Sequence, residues 1–359
     1  MQTTAVPEKG LLKYRPNILS TIGKTPLVDL SRFSKKRGFS VFGKLECFNP
    51  GGSIKDRTAL NMLSQALESG EIKPGDTIIE SSSGNMALGL AQACKFYHIK
   101  LIVVIDPKLN VHTEKLLKAY GVKLIKITHP KLHGGYLESR LQKVEELLAQ
   151  NPSFHCLNQY ENAANPITHY QTMNEIVHQL DQNVDYMFIS TGTCGTLMGC
   201  AQYVYDNHLP TKIIAVDAIG SVIFGQKESL RLITGHGSGK PSNFLNLDLV
   251  DDAIYISDEE SVQGCWNLLE NEAILGGGSS GAVISAIEKY ASVIADGSNC
   301  VGILCDRGER YLDTVYNKTW VKEHFADFKF PKRQNKETTN NSRKGQARKR
   351  ATTLTVNSI

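Results

Sequence analysis

The sequence predicts an α/β protein built from two open sheets of mainly parallel strands. Short runs rich in β-branched residues alternate with helix-length segments, and most of these runs are apolar throughout. Strands of that kind fit a parallel sheet that is covered on both faces. The chain has 359 residues, of which 41% are hydrophobic and 21% charged, and this is long enough for two domains.

Six runs are predicted to be strands, and helices are expected between them. The segment 110–121 is a typical predicted helix, because its closing glycine, Gly121, is a natural stop signal. The β-α-β-α order occurs twice, which favours two α/β layers. The predicted strands cover residues 41–46, 76–81, 100–105, 122–127, 185–190 and 212–217.

The net charge of +4 is unevenly distributed along the chain. Residues 332–359 contain eight Lys or Arg and one acidic residue, so they carry +7 and residues 1–331 carry −3. The basic segment has few large apolar residues, which predicts disorder, and it has no aromatic residue that would stack on a base. We therefore expect a solvated extension and no nucleic-acid partner.

Other classes of protein are disfavoured by what the sequence lacks. No run approaches the roughly 20 apolar residues of a membrane span, and the first residues do not have the pattern of a secretory signal. The eight cysteines are scattered, without a CxxC pair or the spacing of metal ligands. We therefore expect a cytoplasmic protein with no membrane contact and no metal.

Three glycine- and hydroxyl-rich stretches follow or precede predicted regular elements, where ligands bind in open α/β sheets. Residues 81–85 read SSSGN, residues 191–196 read TGTCGT, and residues 276–282 read GGGSSGA. Each stretch alone is as well explained by a tight turn with a capping serine. They co-occur with NPGGSIKDR, residues 49–57, in which Lys55 has the sequence context of a nucleophilic amine. A phosphate cup, a carboxylate-binding loop and such a lysine together predict a pyridoxal phosphate site.

These motifs resemble those of the cysteine synthase and cystathionine β-synthase family, fold-type II pyridoxal phosphate enzymes, over nearly all of residues 18–325. GKTPLV at 23–28 resembles the entry motif of the family, and GERYLD at 308–313 its closing motif. The resemblance implies two α/β domains with pyridoxal 5'-phosphate in the cleft between them. It also implies a homodimer.

The resemblance implies specific roles for individual residues. Lys55 is the catalytic lysine that carries the cofactor, and Asn85 also lies near the 3′ oxygen of the cofactor. The implied substrate-binding set is Ser82, Ser83, Asn85, Met86 and Gln159. The implied cofactor-binding set is Lys55, Asn85, Gly192, Thr193, Cys194, Gly195, Thr196 and Ser279.

Two of these positions carry further information. The phosphate loop is usually written GTGGT in the family, and here Cys194 replaces a glycine. Ser279 resembles the serine that faces the pyridine nitrogen. A neutral hydroxyl leaves that nitrogen unprotonated, which favours loss of a β-substituent over transamination. The implied chemistry is therefore β-replacement.

The resemblance also implies limits for the domains. Residues 1–26 form an N-terminal segment, 27–48 with 160–328 the larger cofactor domain, 49–159 the smaller mobile substrate domain, and 329–359 the basic tail.

Three stretches resemble the diaminopropionate branch of the family more than ordinary cysteine synthases. They are HGGYLESR at 133–140, VDAIGSVIFG at 216–225 and DRGERYLD at 306–313. This resemblance implies O-phospho-L-serine as donor and L-glutamate as nucleophile, in a step of siderophore or antibiotic synthesis. Glutamate brings two carboxylates, so an acceptor site needs an added cation.

Arg140 is the candidate for that cation, since it borders the apolar positions of a predicted helix; an ordinary surface arginine is the equal alternative. Tyr160 is a candidate hydroxyl, with core packing as its alternative role. Lys240 is a candidate for steering the leaving phosphate, although loop lysines are usually only solvated. Two other functions stay open at this point. One is a cysteine synthase that uses O-acetylserine or O-phosphoserine with sulfide, and the other is a non-catalytic regulatory scaffold, which the intact motifs disfavour.

Overall fold

The computed structural model describes residues 14–35, 37–132 and 134–331. The first half of the predicted N-terminal segment, residues 1–13, and the basic tail from residue 332 lie outside the described residues. The strands are β1 (Leu27–Asp29), β2 (Ser40–Leu45), β3 (Thr77–Ser81), β4 (Lys100–Ile105), β5 (Lys123–Lys126), β6 (Phe154–His155), β7 (Tyr186–Ser190), β8 (Lys212–Ala218), β9 (Asp252–Ile256) and β10 (Asn299–Leu304). The helices are α1 (Ser31–Ser34), α2 (Lys55–Glu68), α3 (Asn85–Phe96), α4 (Val111–Ala119), α5 (Gly135–Gln150), α6 (Ala164–Gln179), α7 (Gly195–Asp206), α8 (Asp258–Glu272), α9 (Gly278–Tyr290) and α10 (Lys318–His324).

The strands form two separate sheets, which confirms the predicted α/β class. The larger sheet has the order β1-β2-β10-β7-β8-β9, and only its edge strand β1 is antiparallel to its neighbour. The smaller sheet has the order β5-β4-β3-β6 and is parallel throughout. The two sheets draw their strands from different parts of the chain, and the exact domain limits stay predictions.

Both sheets are covered on both faces by apolar side chains. The strands of the larger sheet divide their buried residues between two clusters, one with α9 and the other with α6 and α7. The smaller sheet packs one face on α2 and α3 and the other face around Val144 of α5. This double coverage explains why the central strands contain continuous apolar runs and do not simply alternate apolar with polar residues.

All six predicted strands are present, each within about one residue of its predicted ends. The helix predicted over 110–121 is α4, which begins after the capping side chain of Asn110 and is followed by Gly121 in a left-handed conformation (φ +82°). The sequence prediction did not include β1, β6, β9 and β10.

A buried ionic network seats the first turns of α2 against the larger sheet. Arg57 donates to both carboxylate oxygens of Glu46, at 2.7 and 2.8 Å, and to both of Glu175, at 2.8 Å each. Lys44, which is fully buried, donates to Glu175 at 2.9 Å and to the carbonyl of Thr25 at 2.8 Å. The network therefore joins β2, α2 and α6 two residues from the start of α2.

No helix within the described ranges is long and apolar enough to cross a bilayer. The same residues contain no group of three or more His, Cys, Asp or Glu placed to hold a metal ion.

We expect Arg57→Met to lower the free energy of unfolding by roughly 3–5 kcal/mol, because it leaves the buried carboxylate of Glu46 without its partner. Arg37→Met is the matched control. Arg37 pairs with Glu288 at 2.9 Å, but both side chains are partly exposed, so its loss is expected to cost less than about 1 kcal/mol. Urea unfolding of the three proteins measures both effects, and equal losses in the two variants would contradict the role of the buried network.

Candidate active site

A cleft of about 810 Å³ lies where the strand ends of both sheets meet. Nearly all of the residues that the sequence analysis selected line this one cleft. Lys240 is not among the lining residues, although the preceding residues 233–239 are. The selected residues in the lining are Lys55, Ser82, Ser83, Asn85, Met86, Arg140, Gln159, Tyr160, Gly192, Thr193, Cys194, Gly195, Thr196 and Ser279.

Lys55 is the first residue of α2 and is half-buried in the cleft lining. Among the described residues, no carboxylate lies within salt-bridge distance of its amine. Burial lowers the pKa of Lys55, and only the thiols of Cys305 and Cys194 oppose that shift. A larger neutral fraction of the amine makes Lys55 a better nucleophile and base.

The SSSGN stretch forms the turn between β3 and α3. The Ser82 hydroxyl accepts from the backbone N–H of Ala87 at 3.2 Å, and the Ser83 hydroxyl accepts from that of Asp106 at 3.1 Å. The turn therefore presents hydroxyls next to the first N–H groups of a twelve-residue helix, where an anion is stabilised. Gln159 is buried and donates to the Ser81 carbonyl at 3.4 Å.

The side chain of Asn85 connects this turn to the segment that follows β10. Its amide donates to the Asp306 carboxylate at 2.7 Å, and its oxygen accepts from Arg310. Asp306 also accepts from the Tyr311 hydroxyl at 2.6 Å, and Arg310 donates to the Gly51 carbonyl. Asn85, which is expected to bind the substrate carboxylate, is thus held by the segment that follows β10.

Residues 192–194 lie in the turn after β7, and Gly195 and Thr196 begin α7. The Thr193 hydroxyl accepts from Asn165 at 3.1 Å, and a side chain at Gly195 would place its Cβ 2.1 Å from the amide oxygen of Asn165. Cys194 has φ +65°, a left-handed conformation that costs a non-glycine residue roughly 1–2 kcal/mol. This conformation explains why glycine is usual at the position. Cys194 adopts it here with its side chain buried.

Ser279 lies in the first turn of α9, is nearly buried and lines the cleft. Cys305 lies beside it, and its pKa is raised to about 11 by burial, so the thiol is protonated at neutral pH. A neutral thiol is therefore the titratable group beside Ser279 in the described residues.

Arg140 is buried, so the alternative of an ordinary surface arginine is wrong. Its Nε lies 3.1 Å from the Asp106 carboxylate, which follows β4. Tyr160 lines the same cleft, and burial raises the pKa of its hydroxyl. Glu80, at the end of β3, is 1% exposed, and burial raises its pKa to about 7 against an attraction from Arg140.

Several cleft residues were not selected from the sequence. Asp306, Arg310 and Tyr311 belong to a motif that was quoted only as a signature of the family. Asp106 carries a detectable signal, because it directly follows an apolar strand in the position where ligand-binding side chains accumulate. Arg231 and His236 lie in a long irregular segment after β8 and carry no comparable pattern.

Comparisons with known proteins agree with this geometry. The family model described as pyridoxal-phosphate dependent enzyme matches residues 18–306. The N-(2-amino-2-carboxyethyl)-L-glutamate synthase of Ralstonia nicotianae is 40% identical over 306 residues, which cover 85% of this chain and 90% of that one.

Solved structures of related enzymes have the same fold. O-acetyl serine sulfhydrylase isoform 3 of Entamoeba histolytica superposes with a TM-score of 0.79 at 31% identity, over 90% of this chain and 99% of that one. An O-acetylserine-dependent cystathionine β-synthase of Helicobacter pylori gives 0.78 at 29% identity, over 85% and 99%.

The fold and the cleft define a fold-type II enzyme that depends on pyridoxal phosphate. The chain belongs to the cysteine synthase and cystathionine β-synthase family of β-replacement enzymes.

We expect the stability of Glu80→Gln relative to the parent protein to rise with pH. The folded pKa of Glu80, about 7, lies above its ordinary value of 4.5, so the parent loses stability as pH rises from about 4.5 through 7, whereas glutamine does not titrate. The difference in unfolding free energy should grow by roughly 3 kcal/mol between pH 4 and pH 8. Urea unfolding at four pH values measures it, and a pH-independent difference would contradict the burial argument. Glu114→Gln, at an exposed pair with Lys118, should show a flat difference above pH 5.5.

Proposed function

We propose that the enzyme joins O-phospho-L-serine and L-glutamate into N-(2-amino-2-carboxyethyl)-L-glutamate and releases phosphate. The observation that carries the proposal is the buried Arg140, held at 3.1 Å by Asp106 and lining the cleft beside Tyr160. Sulfide needs no such cation, whereas phosphoserine and glutamate both bring anionic groups beyond the donor carboxylate. The relative from Ralstonia nicotianae, named for this product, supports the assignment.

The residues present fit the cofactor. The start of α7 offers unpaired N–H groups next to Gly195, where any side chain would clash with Asn165, and the Lys55 amine has no carboxylate partner among the described residues. Lys55 and the turn 192–196 would hold pyridoxal phosphate, with Ser279 facing its ring nitrogen and Asn85 near its 3′ oxygen. When bound, the cofactor supplies the electron sink through which the β-substituent of the donor leaves.

The chain itself binds the substrates and moves the proton. Ser82, Ser83 and the N-terminus of α3 hold the donor carboxylate, with Gln159 and Met86 completing that wall. The Lys55 amine takes the proton from the donor Cα and returns it after the glutamate amine has added to Cβ. Arg140 and Tyr160 orient the acceptor. Packing of the SSSGN turn over the bound donor keeps water from competing with the acceptor amine.

The remaining expectations from the resemblance belong to the same proposal. We infer a homodimer, a cytoplasmic location and a place in 2,3-diaminopropionate synthesis for a siderophore or an antibiotic. Light scattering on the purified protein measures the oligomeric state directly.

Mass spectrometry of the products tests the function. The holoenzyme is mixed with O-phosphoserine and either glutamate or sulfide, while phosphate release is followed. We expect the glutamate adduct as the main product and little cysteine. Cysteine formed efficiently from sulfide, without an adduct from glutamate, would make the protein a cysteine synthase instead.

We expect Arg140→Gln to raise KM for glutamate about 10- to 100-fold, because a charge-assisted hydrogen bond contributes roughly 1.5–3 kcal/mol. Steady-state kinetics with each substrate varied in turn measures the effect. Lys143→Gln on the same helix is the matched control, since the one ion pair of Lys143 in the described residues is with the exposed Glu146. A rise in KM for O-phosphoserine alone would instead assign Arg140 to the donor phosphate.

A further inference from the structure

The long segment between β8 and β9 supplies one wall of the cleft. Residues 228–231 and 233–239 all line it, yet the activity described above uses none of them. Two hydrogen bonds hold this segment against the VDAIGSVIFG motif. The Ser221 hydroxyl accepts from the N–H of Ser238 at 3.0 Å, and the N–H of Val222 donates to the Ser238 carbonyl at 2.9 Å. The position of residue 238 is therefore set by contacts within the chain.

Arg231 is a cation in this wall that has no carboxylate partner. Among the described residues, no acidic side chain lies within 4.0 Å of its guanidinium, and its Nε is buried without a hydrogen bond. Its one hydrogen bond, from Nη1 to the carbonyl of His236, is long at 3.4 Å. The guanidinium packs against Gly237. A Cβ atom added to Gly237 would lie 2.6 Å from Nη1 of Arg231, so a side chain there would clash. Such an arginine has most of its donors available for a ligand.

His236 is a second polar group in the same wall with unused hydrogen-bonding capacity. It is 1% exposed, it lines the cleft, and neither of its ring nitrogens makes a hydrogen bond of good geometry in the described parts of the chain. Burial and then the nearby Arg231 lower its pKa to about 4, against an opposing contact with the Thr191 backbone, so the ring is neutral and has one N–H. A ligand that accepts from this N–H would satisfy a buried polar group.

In the described part of the chain, no acidic side chain comes within 4.0 Å of the Arg231 guanidinium. Asp217 attracts Arg231 most strongly, but its Oδ1 accepts from the Thr191 hydroxyl at 2.6 Å and from the N–H of Ala218 at 3.0 Å, and its Oδ2 is buried without a hydrogen-bond partner. Asp258 accepts from the N–H groups of residues 232 and 233, at 2.7 and 3.1 Å. Glu228 contributes only a longer-range attraction. Arg231 and His236 therefore line the cleft with hydrogen-bonding groups that no carboxylate within 4.0 Å takes up in the described residues.

We propose that Arg231 and His236 form a second anion site, which binds a carboxylate of the amino-acid acceptor. The proposal rests on the function given above and completes it, because a dicarboxylate acceptor needs two cationic groups and Arg140 supplies only one. The guanidinium of Arg231 donates two hydrogen bonds to the carboxylate, and the His236 N–H donates a further one. The pair selects glutamate over its uncharged amide.

The test compares Arg231→Gln and His236→Leu with the parent holoenzyme. KM is measured for glutamate, glutamine and O-phosphoserine, and affinity is titrated with glutarate, an unreactive dicarboxylate. For Arg231→Gln we expect about a 10- to 100-fold rise in KM for glutamate and in Kd for glutarate, little change for O-phosphoserine, and lost preference over glutamine. His236→Leu should show a smaller rise, and Arg231→Lys should recover part of the affinity because it keeps the charge.

Lys227→Gln is the matched control, an exposed lysine of the same segment that does not line the cleft. If Arg231→Gln weakens glutarate binding but the parent protein yields no glutamate adduct, the proposed function is wrong and the anion site is supported. An adduct with unchanged affinities in Arg231→Gln and His236→Leu would overturn the site alone. A rise confined to O-phosphoserine would overturn it too, by assigning the pair to the donor phosphate.

Discussion

The guanidinium of Arg57 holds two buried carboxylates together, and the position of the lysine-bearing helix depends on that contact. Glu46 follows a strand of the larger sheet and Glu175 lies on α6, so one side chain ties α2 to two elements that are distant in sequence. Lys55 is two residues away. Burying several charges is costly unless each is paired, so the arrangement tolerates few alternative geometries. This constraint fixes the start of α2, and with it the backbone of Lys55.

The pairing of charged groups also determines the electrostatics of the rest of the cleft. Among the described residues, Lys55 has no carboxylate within salt-bridge distance, Arg140 pairs with Asp106, and no acid lies within 4.0 Å of Arg231. Cationic groups that are not fully paired give a cleft a field that attracts anions. Such a cleft suits an anionic ligand.

Much of this arrangement could be predicted from the sequence, for physical reasons. Parallel strands with continuous apolar runs give a clear signal, and six of them could be predicted, although the equally buried β10 was not. The turns after the predicted strands bring Lys55, Asn85 and the stretch 192–196 to one cleft. Strands β1, β6 and β9 are short or half-exposed and give weaker patterns. The burial of Arg140 depends on packing between α5 and the smaller sheet, and His236 sits in a segment without periodicity. Such contacts join residues that are distant in sequence, so local sequence patterns do not predict them.

The contacts of Asn85 bear on what a ligand in the cleft would have to displace. Its amide group is occupied on both sides by Asp306 and Arg310, which lie in the segment after β10 of the larger sheet. Asn85 itself begins α3, which packs on the smaller sheet. A ligand that hydrogen-bonds to this amide therefore has to replace two bonds that also join elements packed on the two sheets.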